Sequence, residues 1–184
     1  MKKDDLRKFN KAKRKEMLPQ EVFEKSKKAS EIFLNNEIYQ GSNVIMLYYP
    51  LRNEIDTSEI LKNALLDGKT VIYPITDMAT NEITPIIVDS RTKFSKGAYS
   101  VFEPIEKIVY NGEIDAILVP GIAFDKNGWR VGFGKGCYDR FLKNVDAIKI
   151  GFCYDFQIAD KIDNDDYDIK MNCLISESGM IVCE

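Results

Sequence analysis

Short, nearly continuous apolar runs restrict the fold of this chain more than any other feature. "NVIMLYYP" (43–50), "TVIYPI" (70–75), "EITPIIV" (82–88), "IDAILVP" (114–120), "AIKIGFCY" (147–154) and "NCLIS" (172–176) are rich in β-branched and aromatic residues and show little alternation with polar ones. Strands of that kind need cover on both faces, which is the situation inside a parallel sheet. The segments between them read as helices. Residues 3–17 set Leu6, Phe9 and Met17 among many charges, and Pro19 suits the first turn of a second helix. Val22, Phe23, Ala29, Ile32 and Phe33 form the apolar face of that second helix. "DTSEILKNALLDG" (56–68) begins with Asp56 and Glu59 as a capping pair and stops at Gly68. "YDRFLKN" (138–144) is helical, and "MIVCE" (180–184) pairs back through a turn at Ser178–Gly179. Strands alternating with helices predict an α/β fold: a three-layer domain with a mostly parallel sheet and helices on both faces. A length of 184 residues fits one such domain, spanning 1–184. In these sheets ligands bind beyond the carboxyl ends of the strands.

The absence of histidine removes whole classes of chemistry. Ser-His-Asp and Cys-His catalysis, HExxH hydrolysis and His-based zinc sites are excluded. Proton transfer is left to carboxylates, Lys, Tyr, Cys, water or the substrate. Cys137, Cys153, Cys173 and Cys183 show no CxxC spacing and read as reduced thiols of a cytoplasmic protein. No apolar run reaches the ~18 residues that span a bilayer, and no apolar stretch of signal-peptide type follows "MKKDDLRKFN". A net charge of -3 hides an asymmetry, with residues 1–30 basic and 151–184 acidic. The basic end is either a solvated helix face or a site for an anion such as a nucleotide phosphate. An acidic chain without a recognised binding module argues against nucleic acid.

Two glycine motifs invite comparison with phosphate loops. "DGKT" (67–70) fails as a P-loop, because Asn63 stands where the first glycine belongs and the motif leads into a strand. It reads as a helix stop followed by a strand start. "GFGKG" (132–136) fails the GxGxxG pattern at Cys137. It is nevertheless built to hold an anion. Alternating glycines let backbone N–H groups approach closely, a helix begins nearby, and Arg130 and Lys135 supply full charges. A solvated glycine turn is the plain alternative.

The wider stretch "VPGIAFDKNGWRVGFGKGCYDRFL" (119–142) resembles the hallmark of the 5-formyltetrahydrofolate cyclo-ligase family, PGxxFDxxGxRxGxGxGYYDxxL. Pro120, Gly121, Phe124, Asp125, Gly128, Arg130, Gly132, Gly134, Gly136, Tyr138, Asp139 and Leu142 match. The resemblance extends along nearly the whole chain. It takes in the basic N-terminal helix, the acidic segment "RNEIDTSEI", a glycine-to-Glu-Pro element from Gly97 to Pro104, and a late aspartate in "YDIKMN". The chain departs from the pattern at Cys137, where the family has tyrosine, at Tyr167, where histidine is common, and at Asn172, where an acid is usual.

This resemblance implies an enzyme that uses ATP and Mg2+ to cyclise 5-formyltetrahydrofolate, with or without a polyglutamate tail, into 5,10-methenyltetrahydrofolate with release of ADP and phosphate. It implies that Lys3, Arg7, Arg130, Gly132, Gly134, Lys135, Gly136 and Tyr138 hold the nucleotide. Lys135 and Arg130 are implied as the catalytic cations, with Lys135 nearest the transferred group. Tyr49, Glu54, Phe133, Gly134, Lys135, Gly136, Cys137 and Tyr138 are implied at the folate, and Asp139 and Asp168 at the metal. A monomer without nucleic-acid or membrane partners is expected. Two rival readings stay open on sequence alone: an anion-binding protein of the same architecture that handles a sugar phosphate or coenzyme A, and an RNA-binding accessory protein using its basic end.

Overall fold

The computed structural model describes residues 2–184. In chain order the elements are α1 (Lys3–Glu16), α2 (Pro19–Leu34), α3 (Glu37–Gly41), β1 (Val44–Met46), α4 (Ser58–Leu66), β2 (Thr70–Thr76), β3 (Ile83–Val88), β4 (Phe94–Lys96) and β5 (Phe102–Pro104). There follow β6 (Ala116–Val119), β7 (Ala123–Asp125), β8 (Arg130–Val131), α5 (Cys137–Leu142), β9 (Ile148–Phe152), β10 (Ile158–Ala159), β11 (Cys173–Ser176) and β12 (Gly179–Val182). A 7-stranded sheet in the order β12-β11-β9-β6-β1-β2-β3 forms the centre. Its inner strands are all parallel, and β3 and β12 close the two edges in antiparallel fashion.

The continuous apolar runs have the predicted consequence. Successive residues of a strand point to opposite faces, so each run feeds two cores. Ile45, Leu47, Val71, Tyr73, Leu118 and Ile150 meet Ala29 and Phe33 of α2 and Ile60 and Ala64 of α4. Met46, Ile72, Ile117, Val119 and Leu174 meet Leu142 of α5, with Phe124 and Met171 filling the remainder. Helices therefore lie on both faces, but the second face carries only the six-residue α5, and coil covers the rest.

Several local expectations are corrected. Tyr48 and Tyr49 leave the sheet, so "NVIMLYYP" supplies a strand only to Met46, with one further ladder bond from Leu47 N to Ile72 O (2.9 Å). Phe23 points to solvent, 62% exposed, while Ala29 and Phe33 of the same helix are fully buried. Asp56 accepts a bond from Ser58 N at 2.8 Å, but Glu59 does not complete a capping pair and instead accepts from Asn63 Nδ2 at 3.1 Å. Gly68, at φ 72, ends α4, and β2 starts at Thr70, as the "DGKT" reading required. The helix α3 was not anticipated; Asn36 starts it by accepting from Ile38 N at 2.9 Å. The β4–β5 ribbon and the small β10-β7-β8 sheet were also not anticipated.

α1 has acids in its first turn and Lys13, Arg14 and Lys15 in its last, in accord with the helix dipole. Its buried stripe is unusual: Leu6, Asn10 and Arg14, each four residues apart. Asn10 Nδ2 donates to Ile122 O at 2.9 Å, and Leu6 packs against Ala123 and Val131. These contacts fix α1 beside the segment that leads into the glycine loop.

Candidate active site

The sheet changes winding direction between β1 and β6. From β1 the chain passes to β2 on one side, and from β6 it passes to β9 and β11 on the other. Beyond the carboxyl ends of these strands lies a cavity of about 800 Å³, at the place where open α/β sheets bind ligands. Every residue that the resemblance implies for nucleotide, folate or metal borders it, from Lys3 and Arg7 through Tyr49 and Glu54 to the glycine loop and Asp168.

The glycine loop reaches the cavity through a hairpin that the sequence did not disclose. Pro120 and Gly121 end β6, then β7 and β8 fold back on each other, and Gly132 follows directly. Asp125 holds this hairpin. It is fully buried; Oδ1 accepts from Asn127 N and Trp129 N, both at 3.0 Å, and Oδ2 accepts from Ile162 N at 2.8 Å. The motif aspartate is therefore a backbone clamp and takes no part in the cavity wall. Gly134 and Gly136 have φ 95 and 66, a region closed to most side chains. A Cβ at Gly132 would lie 2.8 Å from Arg130 Nη1. Arg7 buttresses the loop, with Nε donating to Gly132 O at 3.0 Å and Nη1 paired with Asp4 at 2.6 Å. The Lys135 side chain is exposed at the cavity and forms no ion pair among the described residues.

The other predicted charges occur as opposite pairs. Arg130 Nη2 donates to Asp139 Oδ1 at 3.0 Å, and the Arg130 guanidinium lies 5.5 Å from the Tyr138 ring centre. Arg130 Nε is buried without a partner. Lys3 Nζ lies 2.6 Å from both Asp165 and Asp168. Burial pulls the Lys3 ammonium down, but bonds and charges from the two aspartates outweigh it and hold its pKa above the ordinary value. Asp139 also stands 3.5 Å from the amide of Ile169, the residue after Asp168, and both predicted metal carboxylates border the cavity. No cluster of three or more metal-type side chains occurs among the described residues.

Across the cavity, Glu54 is 6% exposed. Oε2 accepts from Leu51 N at 3.0 Å, and Oε1 lies 3.3 Å from Nη1 of Arg14. Burial raises the Glu54 carboxyl pKa, and Arg14 is the strongest influence pulling it back. Tyr49 tilts against Phe94 and Phe102 of the β4–β5 ribbon at 5.5 and 5.1 Å. Tyr138 is half-buried at the cavity wall, and burial pushes its phenol above the usual range. The Cys137 thiol is also raised by burial, against the pull of Arg140, so it lacks the character of an activated nucleophile.

Sequence reasoning assigns no site role to Asp165, Tyr99 or Glu103, which border the cavity, although the last two lie in the Gly97–Pro104 element, and none to Arg14, which does not border it. The sequence does carry a trace of Arg14, in its four-residue spacing from Leu6 and Asn10. Tyr99 and Ser100 have positive φ (51 and 64), which no pattern in "AYS" reveals.

With this geometry in place, comparison with known proteins is consistent throughout. Residues 1–177 match the model of the 5-formyltetrahydrofolate cyclo-ligase family. The chain is similar to 5-formyltetrahydrofolate cyclo-ligase of Mycoplasma genitalium (34% identical, 71% of this chain and 70% of that protein) and to that of Mus musculus (27%, 77% and 76%). Its structure is similar to the NMR structure of Aquifex aeolicus 5,10-methenyltetrahydrofolate synthetase, with a TM-score of 0.86, 34% identity and coverage of 99% of this chain and 93% of that one. The 5,10-methenyltetrahydrofolate synthetase of Mycoplasma pneumoniae aligns with a TM-score of 0.77 and 27% identity over 96% and 99%. Fold, cavity and sequence thus converge, and the chain belongs to the 5-formyltetrahydrofolate cyclo-ligase family.

Proposed function

We propose that this protein cyclises 5-formyltetrahydrofolate to 5,10-methenyltetrahydrofolate at the expense of ATP, with magnesium, releasing ADP and phosphate. The observation that carries this reading is a cavity with two chemically different ends: a glycine loop whose lysine has no ion pair among the described residues, and a buried, arginine-paired carboxylate. The formyl oxygen is a poor leaving group. Phosphorylation converts it into a good one; N10 then attacks the formyl carbon and loses its proton, and phosphate departs. Such transfer depends mainly on positioning and on neutralising negative charge, and it needs no histidine.

The residues divide accordingly. Gly132, Gly134 and Gly136 let backbone N–H groups face phosphate oxygens. Lys135 supplies a full charge at the transferred group, and Arg130 supports it. Lys3 and Arg7 reach the nucleotide from α1. Glu54 accepts N–H bonds from the guanidine-like edge of the pterin, and Tyr49 and Tyr138 flank the folate, with Phe133 and Cys137 beside them. The donor set also fits magnesium arriving with a triphosphate. Asp139 and Asp168 are hard oxygen donors on the cavity wall, and magnesium commonly takes one or two carboxylates plus phosphate and water. Bound there, it would offset phosphate charge. No helix of the described residues is long and apolar enough to cross a membrane, and a cytoplasmic monomer with no nucleic-acid partner completes the reading.

Mixing the protein with 5-formyltetrahydrofolate, ATP and magnesium tests it. Methenyltetrahydrofolate absorbance should rise in step with ADP. ATP hydrolysis that ignores folate, or phosphate binding without turnover, would overturn it in favour of an anion-binding protein.

A further inference from the structure

Arg14 does not border the cavity, yet it governs the carboxylate that does. Its side chain is 2% exposed and that of Glu54 is 7% exposed, and the two are 3.3 Å apart. A carboxylate in such surroundings tends to take up a proton unless a cation is held beside it. The other groups facing Glu54 do not fill that role. Arg52 lies on the same turn but is exposed to solvent. Tyr48, Tyr138 of α5 and Tyr154 after β9 are phenols that burial keeps neutral. Arg14 is thus the one interior cation against this carboxylate among the described residues.

α1 also fixes the position of Glu54. Asn53 Nδ2 donates to Arg14 O at 2.8 Å and to Met17 O at 3.3 Å, which ties the turn to the end of the helix. Arg52 and Asn53 hold positive φ values of 52 and 58 in that turn, a conformation that persists where neighbours enforce it. Arg14 Cζ lies 5.9 Å from the ring centre of Phe133, so the same side chain abuts the glycine loop.

We propose that Arg14 is a positioning residue for folate: its guanidinium holds Glu54 in place and ionised, so that Glu54 accepts the N–H groups of the pterin. This rests on the assignment of Glu54 to the folate. Removing the charge of Arg14 raises the Glu54 pKa further, so the ionised fraction falls at low pH and returns as pH climbs.

The test compares R14Q, R14K and E54Q by their KM for 5-formyltetrahydrofolate and for ATP, each as a ratio to wild type between about pH 6 and pH 9. One unit of pKa is a tenfold change in ionised fraction at the low end. R14Q should raise the folate KM about tenfold near the lower limit and approach wild type near the upper one, with the ATP KM unchanged. R14K should keep the wild-type profile, and E54Q should show a raised folate KM that is flat with pH. A pH-independent loss in R14Q, an equal rise in both KM values, or an R14K as impaired as R14Q would overturn the role of Arg14. A wild-type folate KM in E54Q would instead remove Glu54 from the folate, and the proposal with it. Should R14Q fail to fold, R14Q/E54Q replaces it: a folate KM matching E54Q supports the coupling, and a further loss refutes it.

Discussion

Neutralising Asp139 separates its hold on Arg130 from its proposed contact with magnesium. The two side chains are 5% and 19% exposed for Arg130 and Asp139, and they meet at 3.0 Å. Arg130 has little else: Nε is buried without a partner, and Nη1 has only the carbonyl of Pro120 at 3.3 Å. D139A therefore leaves a buried guanidinium almost unpaired, and the loss of one member of such a pair costs on the order of 3–5 kcal/mol. D139N keeps a carbonyl oxygen for Arg130 and exchanges an ion pair for a hydrogen bond in which only the guanidinium is charged, a difference of about 1 kcal/mol. At about 2–4 °C per kcal/mol for a chain of this size, thermal unfolding without ligands should show a small drop for D139N and a drop of roughly 6–20 °C for D139A. Turnover against magnesium concentration then reads the second role. If Asp139 also contacts the metal, D139N should need at least about tenfold more magnesium, the scale of a lost metal-site interaction, despite its near-normal stability. A D139N enzyme with the wild-type magnesium requirement would confine Asp139 to holding Arg130. A D139A protein within about 1 kcal/mol of wild type would refute the pairing argument itself.

Lys135→Met should lower turnover by about a hundredfold or more and leave the melting temperature unchanged, because Lys135 is exposed and makes no ion pair among the described residues; near-normal turnover would remove it from the phosphate end. Cys137→Ser should stay active, since burial raises this thiol and no histidine accompanies it; an inactive, well-folded variant would reopen covalent catalysis. Asp125→Ala strands the amides of Asn127, Trp129 and Ile162 and should cost about 4–9 kcal/mol at roughly 1.5–3 per lost bond to a charged acceptor. Urea unfolding with an unchanged slope measures it, and a loss below about 1 kcal/mol would mean that other acceptors replace the carboxylate.

The sheet was legible because two-sided burial leaves an unmistakable mark: Ile45, Met46 and Leu47 must all be apolar when alternate faces both meet a core. The glycine loop was legible because Gly134 and Gly136 are required by backbone angle, independently of any partner. What escaped depends on groups distant in sequence. Phe23 fits the helical period as well as Phe33 does, and only the position of the sheet decides which one is covered. Strands of two or three residues, such as β8 and β10, are too short to show a period. Arg14 sits among Lys13 and Lys15 and reads as one more solvated charge; its burial becomes evident only when Glu54, forty positions later, closes over it. The pairing of Lys3 with Asp168 is likewise tertiary, linking opposite ends of the chain.

That pairing bears on how the proposed ligands would enter. The cations assigned to phosphate, Lys3 and Arg130, are bonded to the carboxylates assigned to the metal, Asp168 and Asp139. A triphosphate arriving alone would draw Lys3 and Arg130 toward itself and leave two acids facing phosphate oxygens. A divalent cation arriving alone would take the acids and leave Arg130, with its unpartnered Nε, more exposed to the cost of burial. Were both to arrive together, each broken ion pair would be replaced by two new attractions, cation to phosphate and carboxylate to metal, and the charge of the site would remain balanced. If the proposed roles hold, the same paired arrangement would favour magnesium and nucleotide as one unit. Lys135, already exposed and unpaired among the described residues, is the cation that can meet the phosphate before any pair has to open.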